Sequence, residues 1–388
     1  MSNNAFTECY SSDGERMRKR ILRGMIGASA LASGLIAVTA AATAADAAPA
    51  LGTVNIACGD VAGLKAAIIA ANLGGPSTIV LASNCTYTLT AADNTSLSEG
   101  ANGLPIVRKT VTLIGSNTTI QRSSVAKFRI LEVAGSAGNP ASLTIQGITV
   151  SGGQTSGLLG NAARGGCLLA TFTGMTPTSS TLTLDHSAVV NCRAVSGGGI
   201  YAGSLATLMA SSSSVKHNTA VVGGGITLAT GAAGTIGQSF VNDNAATLGS
   251  GGGLRNFGRV ALTSDTVAGN FARVTGGGLY NDGAAFVGAS FVLQNRAVAG
   301  GGIYAASSAS TRIAGTRIQL NAALLRGGGL DNNGRAFLEN SFVLMNTAPV
   351  GGGIWEGPTG TIAVLNSLIV GNTVFNCQPF ATVPSCVN

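Results

Sequence analysis

Charged side chains, aromatic rings and histidine are all scarce in this chain of 388 residues. Asp, Glu, Lys and Arg make up 10% of it, Phe, Trp and Tyr make up 5%, and there are 2 histidines. The basic residues, which give a net charge of +7, are scattered singly without interleaved aromatics, so the pattern does not support nucleic-acid binding. No Cys-x-x-Cys or Cys/His pair has zinc-ligand spacing, and Gly-x-Ser-x-Gly is missing. The sequence therefore predicts no metal and no cofactor.

Residues 1–47 are predicted to be a secretory signal peptide, with Met17 as an alternative start. Five basic residues between Arg16 and Arg23 precede an uncharged run rich in Ala, Leu, Ile and Gly, which ends in small-x-small cleavage sites. The alternative is a membrane anchor. No later segment reaches the ~18 uninterrupted apolar residues that a spanning helix needs. We therefore expect a secreted, surface or periplasmic protein with no spanning segment after cleavage.

Glycine is abundant, with 57 residues, and it recurs together with asparagine at a strict period. Seven of the asparagines in this period are followed five to seven residues later by Gly-Gly-Gly and then Ile or Leu. Successive members are 25 to 27 residues apart: Asn191, Asn218, Asn244, Asn270, Asn295, Asn321, Asn346 and Asn372. A period this strict indicates one structural unit stacked on the next.

Each repeat has the pattern of strands, because short alternating apolar runs are bounded by Gly and Asn. Strands recurring every ~26 residues predict an all-β, right-handed parallel β-helix of about a dozen coils, in which the asparagines form a stacked ladder. Leucine-rich repeats and calcium-binding nonapeptide rolls are the alternatives. The first lacks its Leu-x-x-Leu-x-Leu run here, and the second lacks its metal-binding Asp after the glycines.

The region before the repeats differs from them in pattern. We predict an N-terminal cap region over residues 48–100, the β-helix over 101–375 and a C-terminal tail over 376–388. Asp60 is positioned to cap a short helix that would cover the open end of the solenoid. The apolar face of that helix is predicted to carry Leu64, Ala67, Ile68 and Ala71.

Cysteine is even in number once Cys9 of the leader region is set aside, which favours disulfides in a secreted protein. Cys167 and Cys192 are 25 residues apart, one repeat, so stacking would bring them within bonding distance. Cys58–Cys85 would tie the N-terminal region, and Cys377–Cys386 would close the tail.

Several short stretches carry a resemblance to a known family. They are Asp60-Val61-Ala62-Gly63-Leu64, Thr78-Ile79-Val80-Leu81, Cys85-Thr86-Tyr87-Thr88-Leu89-Thr90, Asn102-Gly103-Leu104-Pro105, and Leu143 to Gly153. Together they resemble the N-terminal part of bacterial right-handed β-helix proteins of the CSLREA type. The Cys-Ser-Leu-Arg-Glu-Ala block that names this family is absent, and Lys65-Ala66 stands where it has Arg-Glu. The downstream repeats are similar to those of polymorphic outer-membrane proteins. The resemblance implies this fold and an extracytoplasmic location, and it implies no particular reaction.

An enzyme would need carboxylates that converge from neighbouring coils. Counted from the preceding ladder asparagine, Asp331 and Glu356 fall at +10, Arg255 at +11 and Asp282 at +12. These four residues are the candidates for a polysaccharide lyase or hydrolase site. Asp185 and His186 are adjacent in sequence, so on a strand their side chains would point to opposite faces and could not pair.

Aromatic residues follow the glycine triplets on several coils, at Tyr201, Tyr280, Tyr304 and Trp355. A strip of such rings is able to bind sugars, and the alternative is packing between coils. The sequence favours a secreted or cell-surface β-helix without catalytic activity that binds glycans, host proteins or neighbouring cells. The alternative is an enzyme of the pectate-lyase-like fold.

Overall fold

The computed structural model describes residues 52–75, 77–96, 99–155, 157–174, 177–380, 382–384 and 386. The predicted signal peptide lies outside the described residues. The described chain is a right-handed parallel β-helix of about a dozen coils with one α-helix, so the fold prediction is confirmed. A coil such as residues 206–228 turns through three faces before the next coil begins at Ala233.

The largest face, sheet 1, has 21 strands, and most coils contribute two of them. Its strands are Thr53–Ile56, Thr78–Leu81, Thr86–Leu89, Thr110–Arg122, Ala141–Ser151, Ser180–Asp185, Ala188–Val190, Ala206–Ser211, Ser214–Lys216, Ala233–Gly237, Phe240–Asn242, Arg259–Thr263, Thr266–Ala268, Ala284–Gly288, Phe291–Leu293, Ser310–Ala314, Arg317–Gln319, Arg335–Glu339, Phe342–Leu344, Thr361–Leu365 and Leu368–Val370. Parallel pairing begins at Thr53 and therefore extends before the predicted boundary at residue 101.

Sheet 2 is the short face, with six strands: Arg193–Ser196, Thr219–Val222, Ala245–Ala246, Phe271–Ala272, Arg296–Ala299 and Ala322–Arg326. Sheet 3 has ten strands: Leu131–Ser136, Leu168–Thr173, Ile200–Ala202, Ile226–Leu228, Leu254–Asn256, Leu279–Asn281, Ile303–Ala305, Leu330–Asn332, Ile354–Glu356 and Cys377–Gln378. An antiparallel hairpin, Asn94–Ser96 with Gly100–Asn102, and a short 3₁₀ helix, Asn161–Ala163, lie outside these sheets.

The α-helix, Val61–Asn72, begins at the predicted cap, where Asp60 Oδ1 accepts a hydrogen bond of 2.8 Å from the Gly63 amide. Its buried residues are the four predicted ones, Leu64, Ala67, Ile68 and Ala71. They join the apolar core that runs through the solenoid, so the helix closes the core at its N-terminal end.

Each glycine triplet forms the corner between sheets 2 and 3. The first glycine has a positive φ, for example 62° at Gly327, which a residue with a Cβ adopts only with strain. A Cβ on the second glycine would collide with a backbone oxygen of the next coil, and one on the third would press against the next ladder asparagine, as at Gly199 and Asn218. All three positions therefore require glycine for distinct reasons.

The asparagines from Asn218 to Asn372 are buried at the corner between sheets 1 and 2 and form a continuous ladder. At each step the side-chain amide donates to the Oδ1 of the next member at 2.9–3.0 Å, and that oxygen also accepts a backbone amide. Asn376 ends the ladder by accepting from Asn372 Nδ2 at 3.0 Å.

Asn191 is not part of this ladder, so that prediction was wrong by one residue. Asn191 is exposed with φ of 58°, and Cys192 occupies the buried position, where its amide donates to Asn218 Oδ1 at 2.9 Å. The gap of 27 residues before Asn218 reflects this shift. The ladder thus begins after a cysteine.

All three predicted disulfides are present, with Cα–Cα distances of 5.6 Å for Cys58–Cys85, 5.5 Å for Cys167–Cys192 and 6.2 Å for Cys377–Cys386. Cys167 takes the position of a third glycine. Its backbone amide donates to Gly199 O of the next coil, as the amide of Gly199 donates to Gly225 O one coil later. The Cys167–Cys192 bond therefore replaces the contact between a third glycine and a ladder asparagine.

A second ladder, which we call the hydroxyl ladder, runs through the bend inside sheet 1. It was not predicted from the sequence. At each coil a buried side-chain oxygen accepts the backbone amide of the equivalent residue one coil earlier, at 2.7–3.3 Å. Its members are Ser187, Ser213, Ser239, Asp265, Ser290, Thr316, Ser341 and Ser367. The same period of 25 to 26 residues was present in the sequence and could have identified it.

Candidate functional site

The outer face of sheet 3 carries the chemically distinctive side chains. Strand pairing places one outward residue per coil in a single column, which we call the outer column. Its members, in coil order, are Leu169, Tyr201, Thr227, Arg255, Tyr280, Tyr304, Asp331 and Trp355. The residues before and after each of them face inward, because side chains alternate along a strand.

Tyr280 and Tyr304 stack face to face at the centre of the outer column. Their ring centroids are 5.5 Å apart and the rings are 5° from parallel. Both side chains are half-buried, and burial is the main reason that the pKa of each phenol is raised. The pair gives a rigid aromatic surface with two hydroxyl groups at its edge.

At the downstream end of the outer column, an arginine from sheet 2 lies over the Trp355 ring and forms an ion pair with Asp331. Arg326 lies 4.1 Å from the centre of the Trp355 ring, and its Nε is 3.0 Å from Asp331 Oδ2. Asn333 donates to the other oxygen of Asp331 at 2.7 Å. Burial raises the pKa of Asp331 to about 6, and Arg326 opposes that shift. Both oxygens of Asp331 therefore have partners within the fold.

The upstream end of the outer column opens into a groove of about 700 Å³, which we call the arginine groove. Its walls are lined by Asn161, Arg164, Thr171, Phe172, Ser196, Tyr201, Gly203, Ser204, Val222, Thr227, Ala229, Thr230, Arg255 and Phe257. Thr227 lies between Tyr201 and Arg255 in the outer column. Because its side chain is smaller than theirs, the surface is deeper at this position.

Three of the predicted catalytic candidates do not converge. Asp331 lies in the outer column, whereas Glu356 pairs with Asn332 in the inward column; neighbouring side chains bury both, at 0% and 6% exposure. Asp282 lies beyond the strand end, where the Ser308 hydroxyl donates to its Oδ1. The placement of Asp331 and Glu356 on one strip is therefore wrong. Arg255, the fourth candidate, does lie in the outer column.

Asp185 and His186 also differ from the prediction. His186 has φ of 47°, which breaks the alternation of the strand, and its Nδ1 is 2.7 Å from Asp185 Oδ1. The pair is exposed, and Ser211 donates to the same Asp185 oxygen at 3.1 Å. The two residues therefore pair on the surface, contrary to the expectation.

A buried ion pair that the sequence did not indicate lies upstream of the groove. Arg129 and Glu132 are fully buried with 3.0 Å between Nη1 and Oε2, and Asn102 bonds to both side chains. Burial raises the pKa of Glu132 to about 7, against the effect of Arg129. Arg129 also donates to Arg164 O at 2.8 Å, so the pair supports one wall of the groove.

Within the described ranges, no group of three or more His, Cys, Asp or Glu side chains is arranged to hold a metal ion. The helix present in those ranges is too short to cross a membrane.

No protein-family model matches this sequence, and no curated protein matches it. Among solved structures, the chain is similar to the A-module of the mannuronan C-5 epimerase AlgE4 from Azotobacter vinelandii, at a TM-score of 0.44 and 15% identity, covering 84% of this chain and 94% of that one. The AlgE6 A-module from the same organism is similar at a TM-score of 0.38 and 13% identity, covering 80% of this chain and 92% of that one. Likenesses at this level carry no information on activity or ligand.

Proposed function

We propose that this protein is an extracytoplasmic β-helix that binds polysaccharide along the outer column of sheet 3 without transforming it. The stacked pair of Tyr280 and Tyr304 is the observation that carries this proposal. The two rings cover each other's facing sides, so a sugar would contact their exposed edges and their phenol hydroxyls, which both donate and accept as sugar hydroxyls do. A half-buried, stacked pair loses little side-chain entropy when a sugar binds.

Hydroxyl and amide groups near the rings support the same function. Ser196, Ser204, Thr227, Thr230 and Asn161 line the arginine groove next to the aromatic surface. Hydroxyls and amides both donate and accept, so they match the hydroxyl groups of a sugar. A long, open face on a rigid solenoid suits a polymer better than a small molecule.

The positions of the acidic residues support binding without catalysis. A glycoside hydrolase places two carboxyl groups on either side of one bond, ~5 to ~9.5 Å apart. Here Asp331 is satisfied by Arg326 and Asn333, Glu356 faces inward, and Asp282 is bonded to Ser308. The three disulfides support an oxidising, extracytoplasmic location.

The test is a glycan array followed by titration calorimetry on residues 48–388. We expect Tyr280→Ala with Tyr304→Ala to weaken binding about tenfold or more, because each lost phenol hydroxyl removes a hydrogen bond worth roughly 0.5–1.5 kcal/mol. The matched control is Phe291→Ala with Phe342→Ala, which removes two rings from sheet 1, where they are 46% and 44% exposed. Equal loss in both variants, or no glycan bound by the wild type, contradicts the proposal. Release of reducing or unsaturated sugar by the wild type contradicts its non-catalytic part.

A further inference from the structure

The arginine groove holds two positive charges and no acidic side chain among its lining residues. Arg164 lies on one wall, 4.8 Å from the centre of the Tyr201 ring, and Arg255 lies on the other. Both arginines line the same groove as Tyr201, so their charges face the same space. The potential in this groove is therefore positive, and the low-dielectric walls strengthen it.

The carboxylates closest to the groove already have partners in the fold. Asn161 donates to Glu99 at 2.9 Å, and Ser308 donates to Asp282. Burial lowers the pKa of Arg255, and among the groups that oppose this shift the carboxylate of Asp282 contributes least. The ion pairs among the described residues involve neither Arg164 nor Arg255.

Arg255 is the decisive residue, because its Nε is buried and has no hydrogen-bond partner among the described residues. The guanidinium is 4.4 Å from the centre of the Phe257 ring and 5.8 Å from that of Tyr280, so packing holds it in place. A buried donor without an acceptor costs about 1–3 kcal/mol, and such a group calls for an explanation.

Arg326, the last residue of a sheet 2 strand, provides an internal comparison, because its side chain contacts the outer column of sheet 3. It also lies against an aromatic ring, that of Trp355, but its Nε bonds to Asp331 at 3.0 Å. Arg255 has the same kind of aromatic support without the carboxylate. A ligand anion in the groove would give the Arg255 guanidinium the negatively charged partner that Asp331 gives Arg326.

We propose that the arginine groove is a subsite for the anionic substituent, carboxylate or sulfate, of an acidic polysaccharide. This inference rests on the proposed function and names the class of sugar. Arg255 would bind the anion through the terminal amino groups of its guanidinium, because Nε itself is enclosed by the protein, and Arg164 would add charge from the opposite wall. Since Arg255 also touches Tyr280, an anion held there places the neighbouring sugar ring toward the Tyr280–Tyr304 pair.

The experiment compares the binding of one polysaccharide with and without its charged substituents. Titration calorimetry measures binding of oligogalacturonate and of its fully methyl-esterified form, and a second arm compares dextran sulfate with dextran. We expect at least one acidic form to bind about tenfold or more tightly than its uncharged partner, with an affinity that falls as salt is raised. The arm that shows the preference identifies the anion as carboxylate or sulfate.

The variants are Arg255→Gln, Arg164→Gln and the control Arg317→Gln, which removes an arginine placed over Phe342 on sheet 1. We expect Arg255→Gln to abolish the preference for the acidic form, Arg164→Gln to reduce it, and Arg317→Gln to leave it unchanged. Melting curves check that each variant folds, and Arg255→Lys, which keeps the charge but loses the planar fork, should retain part of the preference.

The outcomes separate this inference from the proposed function. If charged and uncharged glycans bind equally and Arg255→Gln changes nothing, the anion subsite is wrong and the glycan-binding proposal stands. If no glycan of either kind binds, the proposed function itself is wrong. If Arg317→Gln weakens binding as much as Arg255→Gln, the preference comes from net charge, and the subsite is again overturned.

Discussion

Two columns on opposite sides of sheet 3 follow opposite rules. In the inward column that directly follows the glycine triplets, each coil repeats Leu or Ile, from Leu168 and Ile200 to Leu330 and Ile354. On the outward side, neighbouring coils place Thr, Arg, Tyr, Asp and Trp in one column. The inward residues must stack on copies of themselves, whereas the outward residues have no such constraint. Regularity in this chain therefore marks the scaffold, and departure from regularity marks the candidate site.

The same contrast separates the asparagine ladder from the arginine groove. Every polar atom of Asn295 has a partner, whereas Arg255 Nε has none among the described residues. A satisfied polar group stabilises the fold, and an unsatisfied one costs stability unless a ligand completes it. Substitutions on the two sides should therefore separate stability from binding.

The largest loss of stability is expected for Asn295→Ala. The substitution leaves Val267 O, the Asn270 amide and one N–H of Asn270 Nδ2 without their partner. Three orphaned buried groups predict a loss of about 3–5 kcal/mol in the free energy of unfolding, measured by urea denaturation. The neighbouring exposed Arg296→Ala is the control, and we expect it to stay within about 0.5 kcal/mol. Equal effects would mean that the ladder does not stabilise the solenoid.

The disulfide at the start of the ladder should have the next largest effect. Cys167→Ser with Cys192→Ser is expected to lower stability by about 3 kcal/mol, because the bond closes a loop of 25 residues. Cys167→Gly with Cys192→Asn restores the residue pair used by every later coil and should recover part of that loss. Denaturation of both variants checks this. A Gly/Asn variant no more stable than the Ser/Ser variant would contradict the equivalence of the two contacts.

Asp265 interrupts the hydroxyl ladder with a carboxyl group and should give a smaller effect that depends on pH. Burial raises its pKa to about 6, with the amides of Ser239 and Thr263 opposing the shift. Because the folded pKa is raised, the stabilising contribution of the protonated acid is present below pH ~4 and is lost as pH rises through about 6.

Asp265→Ser, which restores the residue found at most other positions of this ladder, should therefore gain stability relative to the wild type as pH rises from 4 to 7. Melting temperatures across that range measure the difference between the two proteins. A constant difference at all pH values would show that Asp265 does not titrate in the fold.

The smallest effect on stability is expected for Tyr280→Ala, compared with its sequence neighbour Asn281→Ala. Asn281 is buried and bonds to Asn256, Thr311 and the backbone, so its loss should cost about 2 kcal/mol or more. Tyr280 is half-buried on the outer face, and its loss should cost about 1 kcal/mol or less. Denaturation curves of the pair measure the contrast, and a larger loss for Tyr280→Ala would reverse the assignment of the two sides.

Sequence reasoning predicted the fold because stacking imposes one period on every coil. It located the ladder from Asn218 onward, the helix cap at Asp60 and all three disulfides. It missed the hydroxyl ladder because Ser and Thr are common and Asp265 and Thr316 interrupt the series.

The site was predicted less well because its phase was counted from the wrong residue. Asp331 and Glu356 both fall at +10 from a ladder asparagine, but the glycine triplet begins after six residues in one coil and after five in the other. The strands of sheet 3 follow the triplet, so Asp331 pairs with Trp355 and Glu356 turns inward. Counting from Gly327 and Gly351 would have given the observed register.

The arginine groove could not be predicted from sequence, because Arg164 comes from the loop after the 3₁₀ helix, outside the periodic repeats. Whether Arg255 Nε is satisfied depends on side-chain packing between two coils, which no local pattern encodes.

The most direct test of glycan binding at the outer column measures the affinity and the unfolding free energy of the Tyr280→Ala/Tyr304→Ala variant together. We predict that glycan affinity falls about tenfold or more while the solenoid stays folded, because the rings lie on the outward side of sheet 3. Unchanged affinity in a stable variant would contradict it.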